Sequence, residues 1–144
     1  MRILVLYGPN LNLLGLVSRA AGGRLTLDKL NRALRRQAAG LSVELHIAQL
    51  QDEAAASKLV QRQRRKVAGV LLIPGIWART GLLLRETLTL VGLPVAVFQL
   101  TPEPGPWALE EDAVFRDVAV LSAAGPDGEQ LAGALKALVS HLSS

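Results

Sequence analysis

The amino-acid sequence predicts an α/β fold in which five parallel strands form a three-layer, doubly wound sheet between helices. Short runs of Val, Ile and Leu alternate along the chain with longer segments whose apolar residues recur about every 3.6 positions. Such runs are typical of strands that crossover helices bury on both faces. The chain has 144 residues, of which 50% are hydrophobic. Five alternating units of this length indicate one domain, residues 1–144, of flavodoxin-like type with strand order 2-1-3-4-5.

Each predicted element has a local signal in the sequence. The apolar runs predict strands at residues 3–7, 42–48, 69–73, 94–99 and 118–122. Helices are predicted at residues 26–39, 52–67 and 80–91, and from about residue 127 onward. Thr26 is a suitable N-cap for the first helix, and Gly40 and Gly92 are expected to end the first and third helices. Residues 8–25 and 101–107 are predicted to be irregular loops, and residues 110–112 a short acidic turn.

Charge and composition exclude several classes of function. The formal net charge is +4, but aromatic residues are only 3% of the chain. The neighbouring aromatic side chains on which single-stranded nucleic acids stack are therefore absent from the sequence. The absence of cysteine excludes disulfides, thiolate metal sites and a cysteine nucleophile. Every apolar run is too short for a membrane span, and the first is too short for a signal peptide. We expect a cytoplasmic protein without nucleic-acid or membrane partners.

The loops that follow the strands are the candidate binding segments, because ligands of doubly wound sheets bind outside the carboxyl ends of the strands. These loops are residues 8–25, 49–53, 74–79 and 100–110. The first opens with the string Gly8-Pro9-Asn10-Leu11-Asn12-Leu13-Leu14-Gly15. Asn10 and Asn12 offer amide donors and acceptors at the end of the first strand. Gly, Pro and Asn are also common turn formers, so their chemistry alone favours an ordinary turn.

This eight-residue string resembles the opening signature of the type II 3-dehydroquinate dehydratases of the shikimate pathway. The similarity continues at Gln49 and Glu53, at Pro74-Gly75, at residues 80–88 and at residues 93–95. The resemblance implies flavodoxin-like subunits that assemble into trimers and dodecamers, and loss of water from 3-dehydroquinate without metal or cofactor. In that family an arginine-activated lid tyrosine removes a proton, and a histidine protonates the departing hydroxyl. Asn10 matches the asparagine that stabilises the enolate through a water molecule.

The chain departs from the family pattern at the groups that exchange protons. By ungapped counting, the lid arginine falls at Val17, the Glu-Pro pair at Ser18-Arg19 and the lid tyrosine, the catalytic base, at Gly22. The acid histidine falls at Arg79. The resemblance assigns substrate-binding positions to six residues: Ile73, Gly75, Glu86, Gln99, Leu100 and Thr101. Ile73 replaces an asparagine and Gln99 replaces a histidine, whereas Leu100 and Thr101 match residues whose backbone amides bind a carboxylate. Glu86 matches an aspartate that reaches a neighbouring subunit's site. A later arginine falls near Glu110.

Few other residues are candidates to replace the missing groups. Tyr7 is the only tyrosine in the chain and stands at the exit of the first strand. It is able to point into the site from there, but capping of its strand against the core is the expected role. The two histidines, His46 and His141, lie outside the candidate loops. Arg79 is suited to hold a carboxylate but not to donate a proton near neutral pH. Trp77 is expected either to line the pocket or to pack at a subunit contact.

Three functions are consistent with this pattern. The preferred hypothesis is a catalytically impaired family member that binds a small anion such as 3-dehydroquinate, as a regulatory or inert pseudoenzyme. The first alternative is a slow or rewired dehydratase, which would be a carbon–oxygen lyase. The second is a structural subunit that co-assembles with an active paralogue. A homo-oligomer, trimeric or dodecameric, is expected.

Overall fold

The computed structural model describes residues 1–20, 24–101 and 114–144 of the chain. Its strands are β1 (Arg2–Tyr7), β2 (Glu44–Gln49), β3 (Gly69–Ile73), β4 (Val95–Leu100) and β5 (Ala119–Gly125). Its helices are α1 (Leu14–Ala20), α2 (Leu27–Leu41), α3 (Glu53–Gln63), α4 (Trp77–Thr80), α5 (Leu82–Val91) and α6 (Gly128–Ser143), and a 3-10 turn spans Leu11–Leu13. Within these described ranges, no helix has the length and apolar character needed to cross a lipid bilayer.

The strands form one parallel sheet in the order β2-β1-β3-β4-β5, which confirms the predicted topology. β1 pairs with β2 on one side and with β3 on the other, and the register places Tyr7 opposite both Gln49 and Ile73. The last residues of three strands are therefore aligned. The loops that leave β1, β2 and β3 begin side by side at the edge where ligands bind in folds of this type.

Two apolar layers hold the helices against the two faces of the sheet. On one face, Ile3 and Val5 of β1 pack in a cluster with the buried leucines of α2 and α6. On the other face, Leu4 and Leu6 pack with the buried residues of α3 and α5. Because successive side chains of a strand point to opposite faces, a continuously apolar strand contributes to both layers. This arrangement confirms the sequence-based prediction of strands buried on both sides.

Polar side chains cap the first turn of three helices, and Thr26 does so as predicted. The side chains of Thr26, Asp52 and Asp127 each accept a hydrogen bond from a backbone N–H in the first turn of α2, α3 and α6, at 3.2, 2.8 and 3.1 Å. Such caps satisfy N–H groups that have no partner within the helix. Gly92 ends α5 with a left-handed backbone (φ 75°), as predicted.

The prediction that Gly40 ends the first helix is wrong. α2 continues through Gly40 to Leu41, and Ser42 adopts the left-handed conformation (φ 56°) that a glycine usually supplies. Leu41 and Val43 both pack against the apolar layer beneath α2 and α6. This tertiary packing outweighs the cost of about 1 kcal/mol for a glycine inside a helix.

Two further segments differ from their predictions. The predicted loop of residues 8–25 contains the 3-10 turn and α1, because Leu11 and Leu14 are fully buried and draw the segment onto the core. The predicted helix at residues 80–91 is divided at Gly81 into α4 and α5. A Cβ atom on Gly81 would lie 2.7 Å from the Trp77 carbonyl oxygen, so this close approach requires glycine.

The strands β2, β4 and β5 extend beyond their predicted carboxyl ends. The predicted loop at residues 102–107 and acidic turn at 110–112 lie outside the described residues.

Candidate functional site

Asn10 lies at the carboxyl edge of the sheet, directly after β1. Its backbone is left-handed (φ 66°), a conformation that asparagine adopts more readily than most residues. The Asn10 carbonyl oxygen accepts a hydrogen bond from the Leu13 N–H at 2.8 Å, which closes the first turn of the chain after the strand. The residue is exposed. The asparagine that matches the family signature therefore presents its side-chain amide at the ligand-binding edge.

Gln51, which follows β2, holds Asn10 in place, and Gln49, the last residue of β2, supports Gln51. The backbone N–H of Asn10 donates to Gln51 Oε1 at 2.5 Å, and Gln51 Nε2 donates to Asn10 Oδ1 at 2.8 Å. Gln49 Nε2 donates to the Gly8 carbonyl oxygen and to Gln51 Oε1, both at 3.0 Å. The sequence identified Gln49 but not Gln51, because a lone glutamine in a loop carries no periodic or motif signal. We call these three residues, Asn10, Gln49 and Gln51, the amide cluster.

The exits of β1 and β3 are in direct contact beside the amide cluster. The Gly8 N–H donates to the Ile73 carbonyl oxygen at 2.8 Å, and a Cβ atom on Gly8 would lie only 2.0 Å from the Pro74 carbonyl oxygen. Gly75 has φ +57°, which favours glycine. Trp77 is 3% exposed and packs in the apolar layer beneath α3 and α5. The expectation that Trp77 lines a pocket or a subunit contact is wrong, because its own subunit's core encloses it.

The structure places Ile73 and Arg79 in contrasting environments. Ile73 is the last residue of β3, is 1% exposed and packs in the same apolar layer as Tyr7. Its side chain supplies apolar contacts and no hydrogen-bonding group. Arg79 lies in α4 and is exposed. A guanidinium group carries five N–H donors and stays protonated, so Arg79 is able to bind an anion but not to serve as a proton donor near neutral pH.

The end of β4 holds the remaining predicted substrate positions. Gln99 is 6% exposed and Leu100 is 2% exposed, so both side chains lie within the fold. The Thr101 N–H donates to the Gly125 carbonyl oxygen at 3.0 Å. Of the two backbone amides that the resemblance assigns to a carboxylate, the one from Thr101 is thus engaged in pairing with β5. Gly22 and Glu110 lie outside the described residues.

Tyr7 ends β1 beside the amide cluster but has a buried side chain, and the two histidines lie away from the site. Tyr7 is fully buried in the layer beneath α2 and α6, as expected for a residue that caps its strand against the core. Burial raises the pKa of the Tyr7 hydroxyl above its ordinary value, and the positive charge of Arg35 lowers it by a smaller amount. His46 lies in the middle of β2, opposite Leu4. His141 is in the last turn of α6, at the opposite edge of the sheet, since neighbouring Leu142 packs against the beginning of β3.

Two carboxylates that follow β2 stabilise helix ends. Asp52 caps α3. The Glu53 Oε2 atom accepts a hydrogen bond from the Leu84 backbone N–H at 2.8 Å, in the first turn of α5. Glu53 therefore supplies the cap that α5 lacks in its own sequence, since Gly81 has no side chain to offer. The match of Glu53 to the family pattern is explained here by a structural contact between two helices.

Replacement of Glu53 by alanine is expected to lower the free energy of unfolding by about 1 kcal/mol, the usual cost of removing a cap. Urea denaturation monitored by circular dichroism measures the change. Glu129→Ala is the matched control, because Glu129 is also an acidic residue in the first turn of a helix and is exposed. An equal loss in the two variants would mean that only first-turn charge matters and that the contact with α5 contributes nothing.

Outside the amide cluster, the other candidates for a site are a metal-binding group and a surface cavity. Among the residues that the structure describes, no group of three or more His, Cys, Asp or Glu side chains is arranged to hold a metal ion. A cavity of about 340 Å³ lies on the outer side of the pair formed by α2 and α6, and is lined by Ala33, Arg36, Gln37, Glu129 and Ala132. The cavity is formed by helix surfaces rather than by strand-end loops, so the amide cluster and its neighbours remain the candidate functional site.

The fold and the site together define a flavodoxin-like α/β protein with an asparagine-bearing loop at the carboxyl edge of its sheet. The sequence model of the family described as "Dehydroquinase class II" matches residues 1–139. The chain therefore belongs to the class II dehydroquinase family, which confirms the resemblance found in the sequence.

Individual relatives agree with this membership. A protein of Alkalilimnicola ehrlichii named 3-dehydroquinate dehydratase is 35% identical over 141 residues, which cover 94% of this chain and 93% of that protein. A protein of Trichodesmium erythraeum with the same name is 29% identical over 142 residues, 99% of this chain and 95% of that protein. The crystal structure of a type II dehydroquinase from Butyrivibrio crossotus matches with a TM-score of 0.78 at 21% identity, over 100% of this chain and 98% of that chain. The structural match confirms the predicted fold.

Proposed function

We propose that this chain is a catalytically impaired member of its family, which binds a small carboxylic acid such as 3-dehydroquinate at the strand-end edge without efficient turnover. Two features together carry the proposal. Asn10 is exposed at that edge, and the positions where the family resemblance requires an acid and a base are occupied by residues unable to act as either. These residues are Arg79, exposed in α4, and Gly22, which lies outside the described residues.

The expected impairment is large because dehydration of this kind needs both proton transfers. A general acid and a general base each contribute about 10²–10⁴-fold to the rate. Arginine stays protonated near neutral pH, and glycine has no side chain. Tyr7 is no substitute for the base, since it is fully buried and its hydroxyl pKa is raised. If the two effects are independent, turnover is expected to be about 10⁴-fold slower or more than in a relative with both groups.

Binding of an anion depends on groups that the chain retains. Asn10 and Arg79 follow the neighbouring strands β1 and β3, and both are exposed. A guanidinium group forms charge-assisted hydrogen bonds with a carboxylate, and these are the stronger hydrogen bonds in proteins. The net charge of +4 also favours encounter with an anion. These features support retention of a carboxylic acid ligand after loss of the proton-transfer groups.

Assembly of several copies is part of the proposal, and α5 supplies the surface for it. Leu82, Leu83 and Leu90 are 66%, 48% and 79% exposed, and Glu86 is exposed between them. Neighbouring apolar side chains on one exposed helix face are typical of protein–protein contacts. The same surface supports a second candidate function, in which the chain is a structural subunit that co-assembles with an active relative. Light scattering of the purified protein distinguishes a monomer from a trimer or a dodecamer.

The test measures turnover and binding of 3-dehydroquinate by the same protein. Turnover is followed at high protein concentration through the absorbance of the conjugated enone product, and binding is followed by the shift in thermal unfolding. We expect a thermal shift that depends on 3-dehydroquinate concentration, a smaller shift in Asn10→Ala, and turnover at or near background.

Three other results would each change the conclusion. Turnover that disappears in Asn10→Ala would establish a rewired dehydratase. A thermal shift of equal size in wild type and Asn10→Ala would place the ligand elsewhere in the molecule. If the protein forms a large assembly but shows no binding and no turnover, the structural-subunit hypothesis would be favoured.

A further inference from the structure

We propose that Gln51 is a positioning residue, which orients the side-chain amide of Asn10 so that Asn10 meets its ligand as a hydrogen-bond donor. The ligand selected in this way offers an acceptor oxygen, as a carboxylate or a carbonyl group does. The inference rests on the proposed function, because it assumes that a ligand lies beside Asn10. Beyond the proposed function, it specifies that the site donates a hydrogen bond to its ligand and that Gln51 is the residue that determines this.

A backbone group determines the orientation of the Gln51 amide. The backbone N–H of Asn10 is always a donor, and its nitrogen lies 2.5 Å from Gln51 Oε1. If the two ends of the Gln51 amide were exchanged, two donors would face each other without an acceptor between them. Gln51 therefore directs its oxygen to the backbone and its NH₂ group to the Asn10 side chain, where Nε2 lies 2.8 Å from Oδ1.

A second backbone group, at the other end of the amide cluster, requires the same orientation. The Gly8 carbonyl oxygen is always an acceptor, and Gln49 Nε2 donates to it at 3.0 Å. The same Nε2 atom donates to Gln51 Oε1 at 3.0 Å. Gln51 Oε1 thus accepts two hydrogen bonds, one for each lone pair. The orientations of all three side-chain amides follow from two backbone groups whose polarity cannot change.

The consequence for the site is that Asn10 Oδ1 is occupied by Gln51 and the Asn10 NH₂ group is left for a ligand. Among the described residues, none accepts a hydrogen bond from Asn10 Nδ2, whereas Oδ1 has its partner. An acceptor oxygen on the ligand pairs with this NH₂ group. A ligand that presents only donors at this point leaves the group unpaired, which is the kind of mismatch that binding sites reject most strongly.

A double-mutant cycle tests whether Gln51 acts through Asn10. Binding of 3-dehydroquinate is measured by calorimetry for wild type, Gln51→Met, Asn10→Ala and the double variant. Methionine has a similar length to glutamine but lacks the amide. We expect Gln51→Met to weaken binding about threefold to tenfold in the wild-type background and to change nothing further in the Asn10→Ala background. Equal weakening in both backgrounds, or no weakening in either, overturns the proposal.

The variant Gln51→Glu tests the polarity itself. A carboxylate still accepts from the Asn10 backbone N–H, but it has no hydrogen to donate to Asn10 Oδ1, so the Asn10 amide turns and directs Oδ1 toward the ligand. We expect Gln51→Glu to weaken 3-dehydroquinate binding more than Gln51→Met does. In the Asn10→Ala background there is no amide to turn, so the additional loss of affinity in Gln51→Glu compared with Gln51→Met is expected to be smaller and to reflect only the added negative charge. An excess of the same size in both backgrounds would contradict the turned amide.

A measurement without ligand separates failure of this inference from failure of the proposed function. In nuclear magnetic resonance spectra of the free protein, Gln51→Met is expected to shift the backbone and side-chain amide signals of Asn10. Gln61→Met is the matched control, because Gln61 is exposed in α3 and lies outside the amide cluster. If these shifts occur and 3-dehydroquinate does not bind to wild type, the proposed function fails and the positioning role stands. Unchanged Asn10 signals overturn the positioning role whatever the binding result.

Discussion

Replacement of Gly8 by alanine is expected to lower the free energy of unfolding by about 3 kcal/mol or more. The new methyl carbon would lie 2.0 Å from the Pro74 carbonyl oxygen, 2.7 Å from its carbonyl carbon and 3.1 Å from a ring carbon of Trp77. The nearest obstacle is backbone, which cannot rotate away as a side chain does. Relief requires the exits of β1 and β3 to separate, and this separation breaks the hydrogen bond from the Gly8 N–H to Ile73.

Urea denaturation of the purified variants measures this effect. Gly40→Ala is the matched control, because Gly40 is an exposed residue of α2 and a Cβ atom there would meet nothing within 4 Å. The control is expected to gain about 0.5–1 kcal/mol, because alanine favours a helix over glycine. Loss of a cooperative transition in Gly8→Ala agrees with the expectation. A value within about 0.5 kcal/mol of wild type would mean that the two strand exits do not approach as closely as described.

Replacement of Tyr7 by phenylalanine is expected to abolish a loss of stability that the wild type shows at alkaline pH. Burial raises the pKa of the Tyr7 hydroxyl in the folded protein above the value of 10.0 that it has when exposed. The folded state therefore favours the protonated form. The stability that depends on this form is fully present below about pH 10 and is lost as the pH rises toward the raised pKa, by about 1.4 kcal/mol for each pH unit. Phenylalanine carries no proton to lose.

The measurement compares urea denaturation of wild type and Tyr7→Phe between neutral pH and about pH 11. The difference between the two proteins isolates the tyrosine from other groups that titrate in this range. Near neutral pH, Tyr7→Phe is expected to be as stable as wild type or about 1 kcal/mol more stable, since no described residue forms a hydrogen bond with the buried hydroxyl. Parallel loss of stability in both proteins above pH 10 would contradict the raised pKa.

The same variant bears on the proposed function. Tyr7 is the only tyrosine, so the phenolate absorbance of the protein reports this residue alone. We expect no phenolate signal before the protein unfolds at alkaline pH. A phenolate that forms in the folded protein below about pH 10 would show that the hydroxyl is accessible, and Tyr7 would then become a candidate base for a rewired dehydratase.

Sequence patterns predicted best those helices and strands whose bounds are set by neighbouring residues in the chain. β3 was predicted with its observed bounds, since a wholly apolar run is followed directly by Pro74-Gly75. The cap at Thr26 was also predicted, because a cap acts on N–H groups within the next turn. α1 and the passage of α2 through Gly40 were missed, because both depend on burial of leucines against strands that are distant along the chain.

Prediction of the candidate site followed the same division. Asn10 was predicted because it belongs to a contiguous string, and Arg79 because the resemblance to the family assigns a site position to it. Gln51 was missed although it forms two hydrogen bonds with Asn10. The role of Glu53 as a cap for α5 was missed as well, because the accepting carboxylate and the donating N–H belong to different helices.

By itself, the sequence determined the family and the order of the strands, and it led to the prediction that Gly22 and Arg79 stand where the family pattern has its base and its acid. Composition, periodicity and contiguous motifs are local properties that can be read along the chain. Only the tertiary structure decided which side chains meet at the ligand-binding edge and which way their amides point. The physical reason is that Asn10 and Gln51 are 41 residues apart in the sequence, and the register between β1 and β2 brings them together.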